Sequence, residues 1–395
     1  MRKINLFQIL LGLSLITTSS SYEVFASDII FELPLIEAQE FGEDETEDTP
    51  PQTPSENNEI PTTEDELKEY FTSILQDVIT KRNNFVLNHD TENLKSLYNT
   101  DIKVSLYAYE HEAIKAKYLD SWAAKQGVTF NSINSEIKVR KARDRGDGVY
   151  GMTCNVCTTF NYSYNDSPTE TTDFRLGTSH YIHLKKNGDN YIIVKEWYTD
   201  PFSDSLELSD KNTQAITEHI TKHTAPDYTP NERTQKAIEY AHTHCGIGDG
   251  EHMFKYNPEY MDCNPLGGDC ANFASQIMFE GAGFKKNATW NYTHEGTKVW
   301  VNAQAFTHYI VNSGRGGQIA KGSYEKVYKA AYQMRPGDFV AYEKNGRITH
   351  VSTVSGLDSK GYPLVTCHNT DRLLVPYDLG WSNSNITFYL IDVYY

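Results

Sequence analysis

The chain has 395 residues, 39% of them hydrophobic and 12% aromatic, including 27 tyrosines. That length exceeds one ordinary core and suits two domains plus tails. The net charge is −17, and ten acidic residues with no Lys or Arg fall between Glu40 and Asp65. The acidity therefore belongs mainly to one segment, and the chain lacks the basic footprint of a nucleic-acid binder.

Residues 1–26 read as a secretory signal. Arg2 and Lys3 form a positive start, Ile9 to Ile16 an apolar stretch, and Val24-Phe25-Ala26 a small-residue cleavage site. The apolar run falls short of the roughly 20 residues a spanning helix needs. The expected mature protein is secreted and has no membrane contact. Residues 27–66 read as a disordered linker, in which Pro50, Pro51, Pro54 and Pro61 alternate with Glu, Asp, Thr and Ser.

An α+β domain is expected over 67–206. Leu67, Tyr70, Phe71, Ile74, Val78 and Ile79 recur at helical spacing, and Leu94–Tyr98 and Glu110–Lys125 also read as helix. Strand-like runs follow at Ile137–Arg140, Val149–Tyr164, His180–Lys185 and Tyr191–Trp197. Within the second of these, Cys154 and Cys157 point to opposite faces, so they read as two buried thiols rather than a bonded pair. His180 and His183 likewise face apart, and no convergent acid–base set is evident in this domain. Residues 207–230 form a polar connector with at most one short helix, and Asn231 caps the next helix.

The segment Tyr256–Gly283, YNPEYMDCNPLGGDCANFASQIMFEGAG, carries the chemistry. Pro258, Pro265, Gly267 and Gly268 enforce a loop. Helical spacing then starts at Cys270, with Phe273, Ala274, Ile277 and Met278 inward and Gly281 and Gly283 ending the helix. A helix N-terminus favours thiolate and offers free N–H groups to an oxyanion. A buried small hydrophobe is the bland alternative, preferred for Cys245, Cys263 and Cys367. His350 lies on the returning strand Ile348–Ser355 of a hairpin turning at Asn345-Gly346, on the same face as Ser352 and Val354. The next strand, Leu364–Cys367, leads to His368, Asn369 and Asp371, each a candidate to orient His350. Zinc held by His242, His244 and Cys245 is disfavoured, because residues i and i+2 of a helix diverge by roughly 200°. No cofactor or metal is called for.

AIEYAHTHC, YNPEY, GGDCANFASQ, the Trp290/Trp300 segment, RPGDFVAYEKNGRITHVSTVSG and PLVTCHNTDR together resemble a bacterial amidase-domain family related to the CHAP and NlpC-type cell-wall hydrolases. The resemblance covers residues 231–395. It implies a papain-like α+β domain with the Cys helix on an antiparallel sheet, Cys270 as nucleophile, His350 as base and His368 in the third position. It also implies that Tyr256 and Asn257 shape the substrate and oxyanion region, and that Asp269 steadies the loop or a substrate amine. The preceding domain, ending in KEWYTDPF, resembles the cone-shaped nuclear transport factor/SnoaL type. The expected function is cysteine-dependent cleavage of an amide in peptidoglycan, at the sugar–peptide bond or a peptide cross-link, at or near the cell wall. A non-catalytic wall-binding scaffold and a protease acting on proteins are the alternatives. The oligomeric state is not readable from these features.

Overall fold

The computed structural model describes residues 60–202, 213–381 and 385–395. The expected signal segment and nearly all of the expected linker lie outside them. The described residues from 60 onward belong to one compact unit, and no described helix is long and apolar enough to cross a membrane.

The first half opens with α1 (Glu64–Leu87). Its N-cap Thr63 accepts from Glu66 N–H, and Glu64, Asp65 and Glu66 face the positive end of the helix dipole. Leu67, Phe71, Leu75 and Val78 recur at helical spacing and are all buried. After α2 (Thr91–Ser96), α3 (Lys103–Gln126) stops at Gly127, whose φ of 75° is the left-handed conformation that glycine adopts at least cost. Four antiparallel strands follow: β1 (Val128–Asp144), β2 (Val149–Tyr164), β3 (Ser167–Asn187) and β4 (Asn190–Tyr198). Cys154 and Cys157 fall in different core clusters, as opposite faces of β2 require.

Beyond α4 (Thr213–Thr221), which falls in the expected connector, Asn231 caps α5 (Glu232–His244) by accepting from Thr234 N–H at 3.0 Å. The remaining elements are α6 (Cys270–Gln276), α7 (Lys298–Val301), α8 (Ala303–Asn312), β5 (Gly316–Gly322), α9 (Tyr324–Val327), β6 (Phe339–Lys344), β7 (Arg347–Leu357), β8 (Pro363–Cys367), β9 (Arg372–Pro376) and β10 (Ile386–Val393). The β6–β7 turn has φ of 53° at Asn345 and 77° at Gly346, the positive values of a tight hairpin turn.

These elements make an α+β protein around one large sheet, ordered β1-β2-β3-β9-β8-β7-β6-β10-β5, with β4 on β3. The halves join where Arg175 and Leu176 of β3 pair with Leu373 and Arg372 of β9. Buried polar contacts reinforce the join. Lys125 Nζ lies 2.6 Å from Asp378 Oδ2, and Tyr162 and Tyr164 both donate to Asp358 Oδ2. Arg372 Nη2 donates to Pro201 O at 2.8 Å. The N-terminal part thus packs directly behind the C-terminal sheet.

Two cores flank that sheet. Phe339, Ala341, Ile348 and Val351 pack with the residues of α5, α6 and α8. Val340, Tyr342, Val354 and Phe388 belong to the core shared with the N-terminal half. Successive strand residues alternate faces, so this division decides what each site residue can touch.

Candidate active site

Cys270 opens α6 after a loop in which Gly267 and Gly268 take φ of 112° and 132°. The helix continues through a π turn, Ile277–Gly281. Its whole first segment is buried, Cys270 retaining 5% of its exposure. Burial drives the thiol up to about 12, opposed by hydrogen bonds to sulfur from the Val351 and Ala271 N–H groups. The expected thiolate is therefore not favoured in this arrangement. Removal from water outweighs the helix end and the two main-chain donors.

Nor do Cys270 and His350 form a hydrogen bond. β7 carries a bulge beyond its Tyr342↔His350 pair, and residues paired across strands share a face. His350 accordingly lies with Tyr342, ring centroids 5.7 Å apart, and stacks on Trp381 at 5.1 Å. Val351, the next residue, faces α6 instead and shares a core with Cys270. The imidazole of His350 meets Cys367, Nε2 to Sγ 3.2 Å. Burial and then the charge of Arg372 hold this ring down to about 3. It is neutral near pH 7, but a ring held so low is a weak acceptor for the proton of a thiol pushed up to about 12.

His368 does not orient His350. Its Nδ1 lies 2.5 Å from Asp269 Oδ2 and its Nε2 2.7 Å from His244 O. Both neighbours are hydrogen-bond acceptors. The ring is sandwiched between Phe273 and Tyr256, with centroids 3.8 and 3.7 Å away. Asp269 also accepts from Cys263 N–H and from Asn272 Nδ2. Together these contacts lock the loop to the first turn of α6. His368→Phe would keep the stack but delete both hydrogen bonds, leaving a buried carboxylate short of its partner. We expect a loss of about 3–5 kcal/mol in urea unfolding; an unchanged midpoint would refute this role.

The other expected residues divide. Tyr256 donates to Asp371 Oδ1 at 2.5 Å and joins the His368 stack. Burial raises Asp371 to about 6, opposed by the His368 charge and by the Tyr256 hydroxyl. Asn369 sits at φ 75° with its amide against Gly268, where an added Cβ would lie 2.8 Å from Nδ2. Neither Asn369 nor Asp371 bonds His350. Asn257 is drawn away, donating to Tyr240, which in turn donates to Gln276.

Sequence reasoning missed three features. Cys367 is the partner of His350; the β7–β8 register, Thr353↔Thr366, leads to it, but residue spacing does not set register. Trp381 comes from a distant turn. The N-terminal half, read as lacking a convergent acid–base set, buries one. Arg82 Nη1 lies 2.7 Å from Glu196 Oε1, His180 Nδ1 is 2.9 Å from the same oxygen, and Lys115 Nζ is 2.5 Å from Glu112 Oε2. Arg82, Glu112, Lys115 and His180 line a cavity of about 40 Å³.

Residues 231–391 match the family described as "Putative amidase domain". This part of the protein is thus an amidase-like domain, which points to hydrolase activity. No curated protein matches the chain significantly. Among solved structures, the intermembrane space region of chloroplast protein ARC6 is 10% identical with a TM-score of 0.23, covering 32% of this chain and 95% of that one. Bdellovibrio bacteriovorus Bd1075 is 17% identical with a TM-score of 0.20, covering 34% and 41%. Neither likeness is close enough to bear on fold or function.

Proposed function

We propose that residues 231–391 form a cysteine amidohydrolase that cleaves an amide of peptidoglycan, with Cys270 as nucleophile and His350 as base. The observation that carries this reading is the setting of Cys270 within the amidase-like region. It stands at the start of a helix, behind a glycine-rich turn, where the first-turn N–H groups have no partner within the helix. Such donors suit an oxyanion once a carbonyl is attacked. Neutral His350 takes the thiol proton as the sulfur attacks the carbonyl and returns it to the leaving amine. It then takes a proton from water, which attacks the thioester, and gives that proton to the departing sulfur as the acid is released. In the structure the His350 ring lies on the Tyr342 face of β7 against Trp381, so this transfer requires the ring to swing out of that stack toward α6 in the substrate complex. The protein is exported and acts at the wall.

A non-catalytic wall-binding scaffold is the second reading, favoured by the deep burial of Cys270 and by its missing bond to His350. Purified muropeptides incubated with the protein separate the two. Mass spectrometry should reveal new amine and carboxyl ends with the wild type and none with Cys270→Ser. Intact muropeptides retained by the wild type would establish the scaffold. Cleavage of protein substrates alone would assign a protease.

A further inference from the structure

We propose that Cys367 is the positioning residue of His350: its sulfur accepts a hydrogen bond from Nε2–H and so leaves Nδ1 as the bare, proton-accepting nitrogen. The inference rests on His350 acting as base for Cys270.

The geometry comes first. His350 Nε2 stands 3.2 Å from Cys367 Sγ, and the described residues give Nδ1 no hydrogen-bond partner. Both side chains are almost wholly buried. Trp381 stacks on the ring at an interplanar angle of 28°, with Tyr342 beside it, so rotation is restricted. His368, Asn369 and Asp371, the oxygen and nitrogen candidates nearby in sequence, are committed elsewhere. His368 lies on Asp269, Asn369 against Gly268, and Asp371 under Tyr256. Cys367 alone of this group reaches the imidazole.

The proposed role as base sets the direction of the bond. A thiol can donate to Nε2 or accept from it, and the two choices place opposite tautomers on the ring. Arg372 pairs with Cys367 across β8 and β9. Its positive charge stabilises electron density on the Cys367 sulfur and disfavours added charge on His350. Nε2 is occupied by Cys367, so only Nδ1 can receive the Cys270 proton, and a bare Nδ1 places the hydrogen on Nε2 with the sulfur as acceptor. The proton then resides on Nε2, and the Nδ1 lone pair is free to take the proton of Cys270.

Nitrogen-15 NMR of the intact protein, with the imidazoles labelled and the His350 signal assigned by its loss in His350→Gln, reads the tautomer directly. We expect the Nε2–H form in the wild type; an Nδ1–H signature overturns the proposal. Iodoacetamide labelling followed by peptide mapping supplies the second measurement. Cys367→Ala should slow alkylation of Cys270 by about fivefold to tenfold, the loss of one hydrogen bond. Cys367→Ser, whose hydroxyl can still accept, should recover most of that rate. Equal rates in all three proteins with Cys270 reactive would reject Cys367 as the positioning group. A wild type whose Cys270 labels no faster than the other buried thiols, yet shows the Nε2–H tautomer, would reject the catalytic reading and leave the Cys367 bond standing. If Cys367→Ala fails to fold, the wild-type tautomer and the Cys367→Ser rate decide.

Discussion

Cys270→Ala is expected to abolish amide hydrolysis, lowering kcat by roughly 10⁴- to 10⁶-fold, as loss of a covalent nucleophile does. The substitution removes only a small buried group, so stability should fall by no more than about 1–2 kcal/mol. Activity surviving at even a hundredth of the wild-type rate in a folded Cys270→Ala protein would end the nucleophile assignment. His350→Gln supplies the companion result. It keeps a polar side chain beside Cys367 and Trp381 but cannot shuttle a proton, so kcat should drop by roughly 10²- to 10⁴-fold. The contrast with His368 is informative. Its ring is bonded on both sides and wedged between aromatic faces, so its loss should act first on stability. Should His368→Phe retain its fold and lose kcat while His350→Gln keeps it, the base would be reassigned to the ring lying on the α6 side of the sheet.

Much of this site is legible in residue spacing, and the limits have physical causes. The start of α6 at Cys270 follows from glycines and prolines giving way to helical spacing, and the hairpin at Asn345-Gly346 follows from its turn chemistry. β2 is bounded as expected because turn-forming Gly and Asp residues flank a run of Thr, Tyr and Val. β3 starts well before the expected His180, at Ser167, a start hidden from residue spacing because Thr169, Glu170 and Thr171 are polar and exposed. Pairing with β2, rather than their own burial, makes them strand. Alternation correctly groups His350 with Ser352 and Val354, yet nothing in that pattern says which face α6 will cover. That choice depends on packing between distant elements, and it places Val351 toward Cys270. The buried charges of the N-terminal half are hidden for a similar reason. Arg82 and Glu196 stand 114 residues apart, and only the folded helix–sheet packing shows that each has the other.

Glu196→Gln should be among the most destabilising substitutions in the N-terminal half, costing about 3–5 kcal/mol in chemical unfolding, because it removes the nearer carboxylate of buried Arg82 and leaves it only Glu112, 3.8 Å from its Nε. The acid limb of the stability curve should shrink with it. Burial alone would raise the carboxyls of Glu196 and Glu112, but cations outweigh it. Arg82 and the His180 bond depress Glu196, while Lys115 and Arg82 depress Glu112. A depressed folded-state pKa contributes stability that is complete above the unfolded value near 4.5 and is lost as pH falls toward the folded one. His180 acts in the same sense. Burial and Arg82 lower its pKa against the pull of Glu196, so acid favours the unfolded chain, where it protonates more readily. Asp371 runs the other way, since burial raises it to about 6. The stability it contributes at low pH is lost as pH climbs from the unfolded value near 3.8 toward 6. Unfolding midpoints measured from pH 7 down to pH 3 should therefore fall most steeply below about pH 4.5 in the wild type, and less steeply in Glu196→Gln. Parallel curves for the two proteins would show that the Arg82–Glu196 contact contributes nothing to the acid dependence.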